Sequence, residues 1–337
     1  LLFPLRLAFA VHNDGLFELG NGLDGQAAVG SADISGDPSQ TGPDWDELFD
    51  ADGNLKNDVP QSFGGLAAVF IKDEIASKGA TDSTTFTGSK NDDLHSAWSW
   101  TTGNVPSKDD LSNVYLYTTQ DESEGDLILY AGLERIDPSG DSHIDIEINQ
   151  NPISLDDSGK FIGEKSVNDI LMVMDFRKGG DLGFVEIYSW DGNHWILTDK
   201  INDGSGEGCD AADFACAYNN NTDIFSGSWP SFDRQGKLIT DLPRNAFTEM
   251  GINLTKLLGP EAVTPCFTSV IAKTRSSSSL TSDLKDFVIG HFNLCDARVS
   301  VGIDDGNPYN QVGESQEITV LVEKKDGTNG FEWKAVE

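Results

Sequence analysis

The segment His143-Ile144-Asp145-Ile146-Glu147-Ile148 sets an ionisable side chain at every second position, with isoleucine between. On an extended chain that period of two puts His143, Asp145 and Glu147 on one face. Converging carboxylates of this kind can work as nucleophile and general acid in a sugar cleft. They can equally hold a glycan or an ion without turnover, or stand on the wet face of a half-exposed strand. An imidazole at 143 supplies no carboxylate to trap a glycosyl intermediate, which disfavours retaining hydrolysis. Trp98 and Trp100 flank Ser99, so both indoles project to one side of an extended segment. Stacked indoles bind sugar rings, and paired indoles also build cores. The ligand-binding candidates are therefore Trp98, Trp100, Asp145 and Glu147.

Calcium is the cofactor that the acidic loops suggest, because hard cations collect roughly six to eight oxygens from carboxylates, carbonyls and amides. The loops that offer them are Asp137-Pro138-Ser139-Gly140-Asp141, Lys108-Asp109-Asp110, Asn91-Asp92-Asp93 and Asp304-Asp305-Gly306-Asn307. None has the EF-hand spacing. Asp137 with Asp141 is the first choice, since Gly140 allows a sharp turn that brings both carboxylates together; Asp109 with Asp110 is the second. The histidines, His12, His95, His143, His194 and His291, form no grouping with ligand spacing. Ser276 to Ser279 lie in a turn without the GxSxG elbow of an acyl enzyme. Asn220-Asn221-Thr222 and Asn253-Leu254-Thr255 fit the N-glycosylation pattern.

Four cysteines, an even number, lack CxxC-type or histidine-containing metal spacing. Two β-like runs flank the serine-rich turn. If they pair as a hairpin centred between Leu280 and Thr281, Cys266 falls opposite Cys295, within disulfide reach. Cys209 and Cys216 lie seven apart in a Gly/Asp/Asn-rich loop, a spacing that suits a local staple. Two disulfides, Cys209–Cys216 and Cys266–Cys295, imply an oxidising, extracellular compartment. The first ten residues, LLFPLRLAFA, end in a small-x-small pattern and read either as the tail of a secretory signal or as a first strand.

The chain has 337 residues, with 56 Asp and Glu against 23 Lys and Arg, a formal charge of -33. That excess would repel a phosphate backbone and an anionic membrane surface, so neither nucleic acid nor membrane insertion is expected. The elements that must position the candidate residues are short, alternating or β-branched runs between Asp/Gly/Asn/Ser clusters. Strands are expected at 16–19, 67–71, 114–119, 126–133, 143–150, 170–176, 182–190, 194–200, 247–253, 267–275 and 286–292. Asp191-Gly192-Asn193 marks a hairpin, and residues 170–200 read as a three-strand meander. Helical turns are expected only at 43–49 and 107–114. After Cys295 the pattern resembles the opening strands of an immunoglobulin-like domain, too short to close a sandwich of that kind.

Several segments together resemble a family of secreted, multi-domain bacterial surface proteins of uncharacterised activity. They are Leu16-Phe17-Glu18-Leu19-Gly20-Asn21-Gly22, the run from Trp98-Ser99-Trp100 to Asp109-Asp110-Leu111, Gly140-Asp141, Asp175-Phe176-Arg177-Lys178-Gly179-Gly180, Glu249-Met250-Gly251-Ile252-Asn253-Leu254, and Thr274-Arg275-Ser276-Ser277 with Leu284-Lys285-Asp286-Phe287. The resemblance implies a lectin-like jelly roll displayed at the cell surface. The His143–Ile148 segment also resembles the catalytic strand of lichenase-type β-glucanases, with His143 at the nucleophile position. The expected fold is thus an all-β, jelly-roll or concanavalin-like β-sandwich over 11–295, after residues 1–10 and before a partial Ig-like β segment at 296–337. The expected function is a non-catalytic, calcium-stabilised structural or adhesive module at the cell surface, self-assembling or bound to surface components. A carbohydrate-binding lectin-like module is the first alternative, and a diverged glycoside hydrolase the second.

Overall fold

A computed structural model describes residues 45–56, 67–73, 75, 81–120, 126–177, 179–201, 208–209, 215–220, 222–258, 266–294, 319–323 and 329–334. The chain divides into two compact units, Leu1–Cys295 and Asp296–Glu337. In the first unit the main strands in chain order are β1 (Ala67–Lys72), β2 (Asp82–Phe86), β3 (Trp100–Gly103), β4 (Leu111–Gln120), β5 (Leu127–Arg135), β6 (Ser142–Asn149), β7 (Ile170–Arg177), β8 (Asp181–Trp190), β9 (Trp195–Ile201), β10 (Gly208–Cys209), β11 (Ala215–Asn219), β12 (Phe247–Asn253), β13 (Phe267–Arg275) and β14 (Leu284–Leu294). They form a six-stranded sheet, β1-β4-β5-β12-β11-β10, and an eight-stranded sheet, β9-β8-β7-β6-β13-β14-β2-β3. Neighbours in both sheets run antiparallel, so the molecule is an all-β sandwich.

One core fills the space between the sheets. Leu116, Leu129, Leu133, Met250 and Ile252 come from the six-stranded sheet; Ile144, Ile146, Ile148, Met172, Met174, Val270 and Ala272 come from the eight-stranded one. Each such side chain contributes about 1.5–3 kcal/mol of transfer free energy. The outer faces are covered as well. Trp45, Phe49, Trp229 and Leu242 lie over Tyr115, Tyr130 and Phe247 of the six-stranded sheet. Phe86, Trp98, Ile153 and Phe161 lie over Ile271 and Phe287 of the other. Strands β5 and β6 are therefore buried along their whole length. This corrects the half-exposed reading of residues 143–148: the alternation is real, but both of its faces are dry.

The β13–β14 hairpin shows how register is held. Most of its ladder pairs Val270 with Gly290 and Lys273 with Phe287, one position off a turn centred between Leu280 and Thr281. A bulge between Phe267 and Ser269 restores the expected register, so that Phe267 pairs with Leu294. Strand β10 sets Cys209 across from Cys216 on β11. Among the described residues no cysteine is free.

The short α-helix Trp45–Leu48 falls within the expected turn at 43–49. At 107–114 only Ser107–Asp109 is helical, as one 3-10 turn. The following β-branched and aromatic residues instead enter β4, where they pack on both faces. The expected strand at 16–19 lies outside the described residues. In the second unit, Thr319–Glu323 pairs antiparallel with Asn329–Lys334. No helix among the described residues is long and apolar enough to cross a membrane.

Candidate functional site

Strand β6 turns His143, Asp145 and Glu147 away from the core isoleucines, and cations from β13 meet them. Arg275 Nε lies 3.0 Å from Asp145 Oδ1 and 2.8 Å from Asp145 Oδ2, while Arg275 Nη2 lies 3.3 Å from Asp175 Oδ1. His143 Nδ1 is 2.8 Å from the same Asp175 oxygen, and Asn91 Nδ2 donates to Asp145 Oδ2 at 2.6 Å. Lys273 Nζ donates to Glu147 Oε2, and His95 Nε2 sits 2.7 Å from Glu147 Oε1. Asp145, Glu147, Lys273 and Arg275 are wholly inaccessible to solvent. Burial opposes the charge on Glu147, yet Lys273, Lys165 and His95 outweigh it and hold the carboxyl well below its usual range. Burial also keeps His95 below its ordinary value, against the pull of Glu147.

Indoles close this row from above. Lys165 Nζ lies 4.8 Å from the Trp98 and Trp190 ring centres and 5.4 Å from that of Trp195, and donates to the carbonyls of Asn91 and Asp93 at 2.6 Å. Lys273 Nζ stands 4.7 Å from the Trp98 ring centre. Burial pushes the Lys165 ammonium down to about 8, with Glu147 acting the other way. Trp98 is fully buried, and Trp100 packs half-buried against the same cluster. Of the four ligand-binding candidates, Trp98, Asp145 and Glu147 thus form a closed interior rather than an open platform. Glu147 exposes no surface to solvent.

A second carboxylate group has a different make-up. Asp73 follows β1, Asp82 opens β2, Asp110 precedes β4 and Asp286 lies on β14. One oxygen from each lies within 4.8 Å of the other three. Asp286 accepts from Leu111 N at 2.8 Å and from Phe287 N at 2.9 Å. Asp82 Oδ1 accepts from Thr84 N at 2.7 Å and from Thr84 Oγ1 at 2.9 Å. Asp82 Oδ2 and Asp110 Oδ1 are buried and meet no donor. Ser112, whose carbonyl accepts from Asp73 N at 3.1 Å, also buries a hydroxyl without a partner. Among the described residues no Lys, Arg or His pairs with Asp82, Asp110 or Asp286. Burial, followed by repulsion from Asp73 and Asp82, pushes Asp110 up to about 8 and raises Asp286 well above its usual value. Gly290 makes the corner possible: a Cβ there would stand 2.5 Å from Ile71 Cδ1, so a larger residue would push β1, and Asp73 with it, off β14.

Of the four metal-ligand candidates only Asp110 enters this cluster. Asp109 accepts from Lys108 Nζ at 3.1 Å. Asp137 caps its own turn, accepting from Ser139 N at 3.0 Å and from Ser107 Oγ at 2.9 Å, and lies 3.8 Å from Arg234. Asp141 is exposed, and its carbonyl accepts from Lys108 Nζ at 2.9 Å. Asp73, Asp82 and Asp286 escaped the sequence reading because none of them falls in the acidic loops that it singled out. Strand parity carried a signal for two of them: Asp286 shares its side with core-facing Val288, and Asp73 shares its side with Ile71. Neither glycosylation pattern presents its amide to solvent. Asn220 Nδ2 donates to the carbonyls of Thr222 and Pro243, Asn253 Nδ2 to Asp126 Oδ2, and both residues are buried. No protein-family model matches the chain, and no curated protein or solved structure matches it either.

Proposed function

We propose that this chain is a non-catalytic, calcium-stabilised β-sandwich module of an extracellular surface protein, structural or adhesive in role. The observation that carries the reading is the cluster of Asp73, Asp82, Asp110 and Asp286, in which Asp82 Oδ2 and Asp110 Oδ1 are buried and meet no donor or cation among the described residues. A calcium ion about 2.4 Å from its ligands allows oxygens up to about 4.8 Å apart, and one oxygen from each of the four aspartates lies within that distance of the others. The cluster joins β1, β2, β4 and β14, so an ion there would tie the two sheets together. Disulfides Cys209–Cys216 and Cys266–Cys295 belong to the same proposal, supported by the facing register of the first pair and by the ladder that runs to Phe267 and Leu294. The non-catalytic assignment rests on the sealing of Asp145 and Glu147 by their own cations.

The test is thermal unfolding of the whole chain in chelator, in calcium and in magnesium. Calcium at a hundred times its Kd adds about 2.7 kcal/mol, which raises the midpoint by roughly 4–5 °C in a unit of this size. Magnesium should give a smaller shift. Identical midpoints in chelator and calcium would overturn the reading.

A further inference from the structure

We infer that the open cleft at the His143 end of the buried charge row is a binding subsite for an acidic sugar, one carrying a carboxylate beside its hydroxyls. The cleft, about 490 Å³ in volume, is lined by Lys108, Asp141, His143, Arg177 and the serines 276 to 278. That is the size of an ordinary small-ligand pocket. It opens where the row on β6 emerges: Asp145 and Glu147 are sealed, and His143 reaches solvent.

The cleft differs from the rest of this face in the polar groups it leaves unengaged. His143 Nδ1 is committed to Asp175, while its Nε2 makes no hydrogen bond within the described residues. In the same turn Ser279 and Ser282 use their hydroxyls internally, Ser279 Oγ with Thr281 and Ser282 Oγ with two carbonyls. The hydroxyls of Ser276, Ser277 and Ser278 make no such bond within the described residues, and these residues are exposed. Arg177 is half exposed, with only a long 3.6 Å contact from Nη2 to Asp175 Oδ2, and its guanidinium rests 4.8 Å from the Phe184 ring centre. That shelf holds the planar fork at the cleft without using its donors. Lys108 is anchored by Asp109 Oδ1 and the Asp141 carbonyl.

A guanidinium and an ammonium lining one cleft suit a carboxylate, since charge-assisted and bidentate contacts are the strong ones. Three free hydroxyls and an imidazole nitrogen suit the ring hydroxyls of the same sugar. Asp141, which also lines the cleft, adds a negative charge that disfavours a bare polyanion. This subsite is separate from the aspartate cluster and stands or falls without it.

The experiment is calorimetric titration of the whole chain, in chelator and again in calcium, with three probes: a disaccharide containing one uronate, the same disaccharide with its carboxylate reduced to the alcohol, and acetate. The uronate disaccharide is expected to bind, the reduced form at least about tenfold more weakly, and acetate not measurably at the same concentration. Arg177→Gln, a change at a half-exposed position, should weaken the uronate about tenfold with an unchanged unfolding midpoint. Ser277→Ala with Ser278→Ala should weaken both disaccharides alike. Absence of binding by the uronate disaccharide, equal binding of the reduced disaccharide, or an Arg177→Gln variant that binds like the parent would each overturn the inference.

Discussion

Two buried groups of carboxylates, one on the eight-stranded sheet and one drawn from strands of both sheets, are neutralised in opposite ways. Asp145, Glu147 and Asp175 meet Arg275, Lys273 and neighbouring histidines from the same chain. Asp82 and Asp286 meet backbone and hydroxyl donors, and among the described residues no cation pairs with them or with Asp110. Removing a carboxylate from water is expensive unless a partner charge or a proton compensates. The first group carries its compensation in its own sequence. The second must take it from solvent, as a proton or as a metal ion, and that is what separates a fixed structural network from a ligand site. Glu134, under the aromatic cover of the six-stranded sheet, follows a third course. It accepts from Trp229, Ser231 and Asn113, and burial pushes its carboxyl up to about 7 in spite of those donors.

The contrast breaks most sharply at Arg275. Arg275→Met leaves Asp145 and Asp175 buried without their shared cation and should destabilise the fold by about 3–5 kcal/mol, read as a lower urea midpoint. A loss under about 1 kcal/mol would mean that the row does not need its arginine. Removing a charge from the aspartate cluster should act with the opposite sign in chelator. Asp110→Asn relieves repulsion there and should raise stability by about 1–2 kcal/mol, while abolishing the calcium-induced rise in midpoint. If the variant still responds to calcium like the parent, Asp110 is not a ligand.

At Glu134 the sign follows from a folded value above the unfolded one. The folded state binds the proton more tightly, so this stabilisation is complete below about pH 4.5 and is lost as pH rises through about 7. The difference is at most about 3 kcal/mol. Glu134→Gln, permanently neutral, should flatten stability between pH 5 and pH 8, measured by urea unfolding across that range. An unchanged slope would place the titration elsewhere. Gly290→Ala should have the smallest effect, about 1 kcal/mol or more from the contact with Ile71. Its diagnostic consequence is a weaker calcium response, because the shift would pass through β1 to Asp73.

Much of the architecture was legible locally. Alternation and β-branched runs located β1, β4 to β9 and β12 to β14, and the Asp191-Gly192-Asn193 turn located the meander, because a strand's period reports directly on which side chains share a face. The register expected about the serine turn is reached at the open end of the ladder, where Phe267 pairs with Leu294, although a bulge was needed to deliver it. The candidate site was far less legible. Trp98, Asp145 and Glu147 do lie together, but as the lining of a closed interior. Calcium was anticipated from acidic loops, whereas the carboxylates that converge come mainly from strand ends and strand interiors.

The sequence alone determined an antiparallel, strand-dominated chain with polar and apolar sides on β6, because side-chain alternation is a property of the extended backbone itself. Only the tertiary structure decided what covers each side. Asn91, His95, Trp98, Lys165 and Trp195 seal a row of charges that β6 by itself would leave wet. Likewise four aspartates, separated by as many as 213 positions, become one site only when β14 closes against β1, β2 and β4. Periodicity is local and covering is not, so the face was written in the chain and its dryness was not.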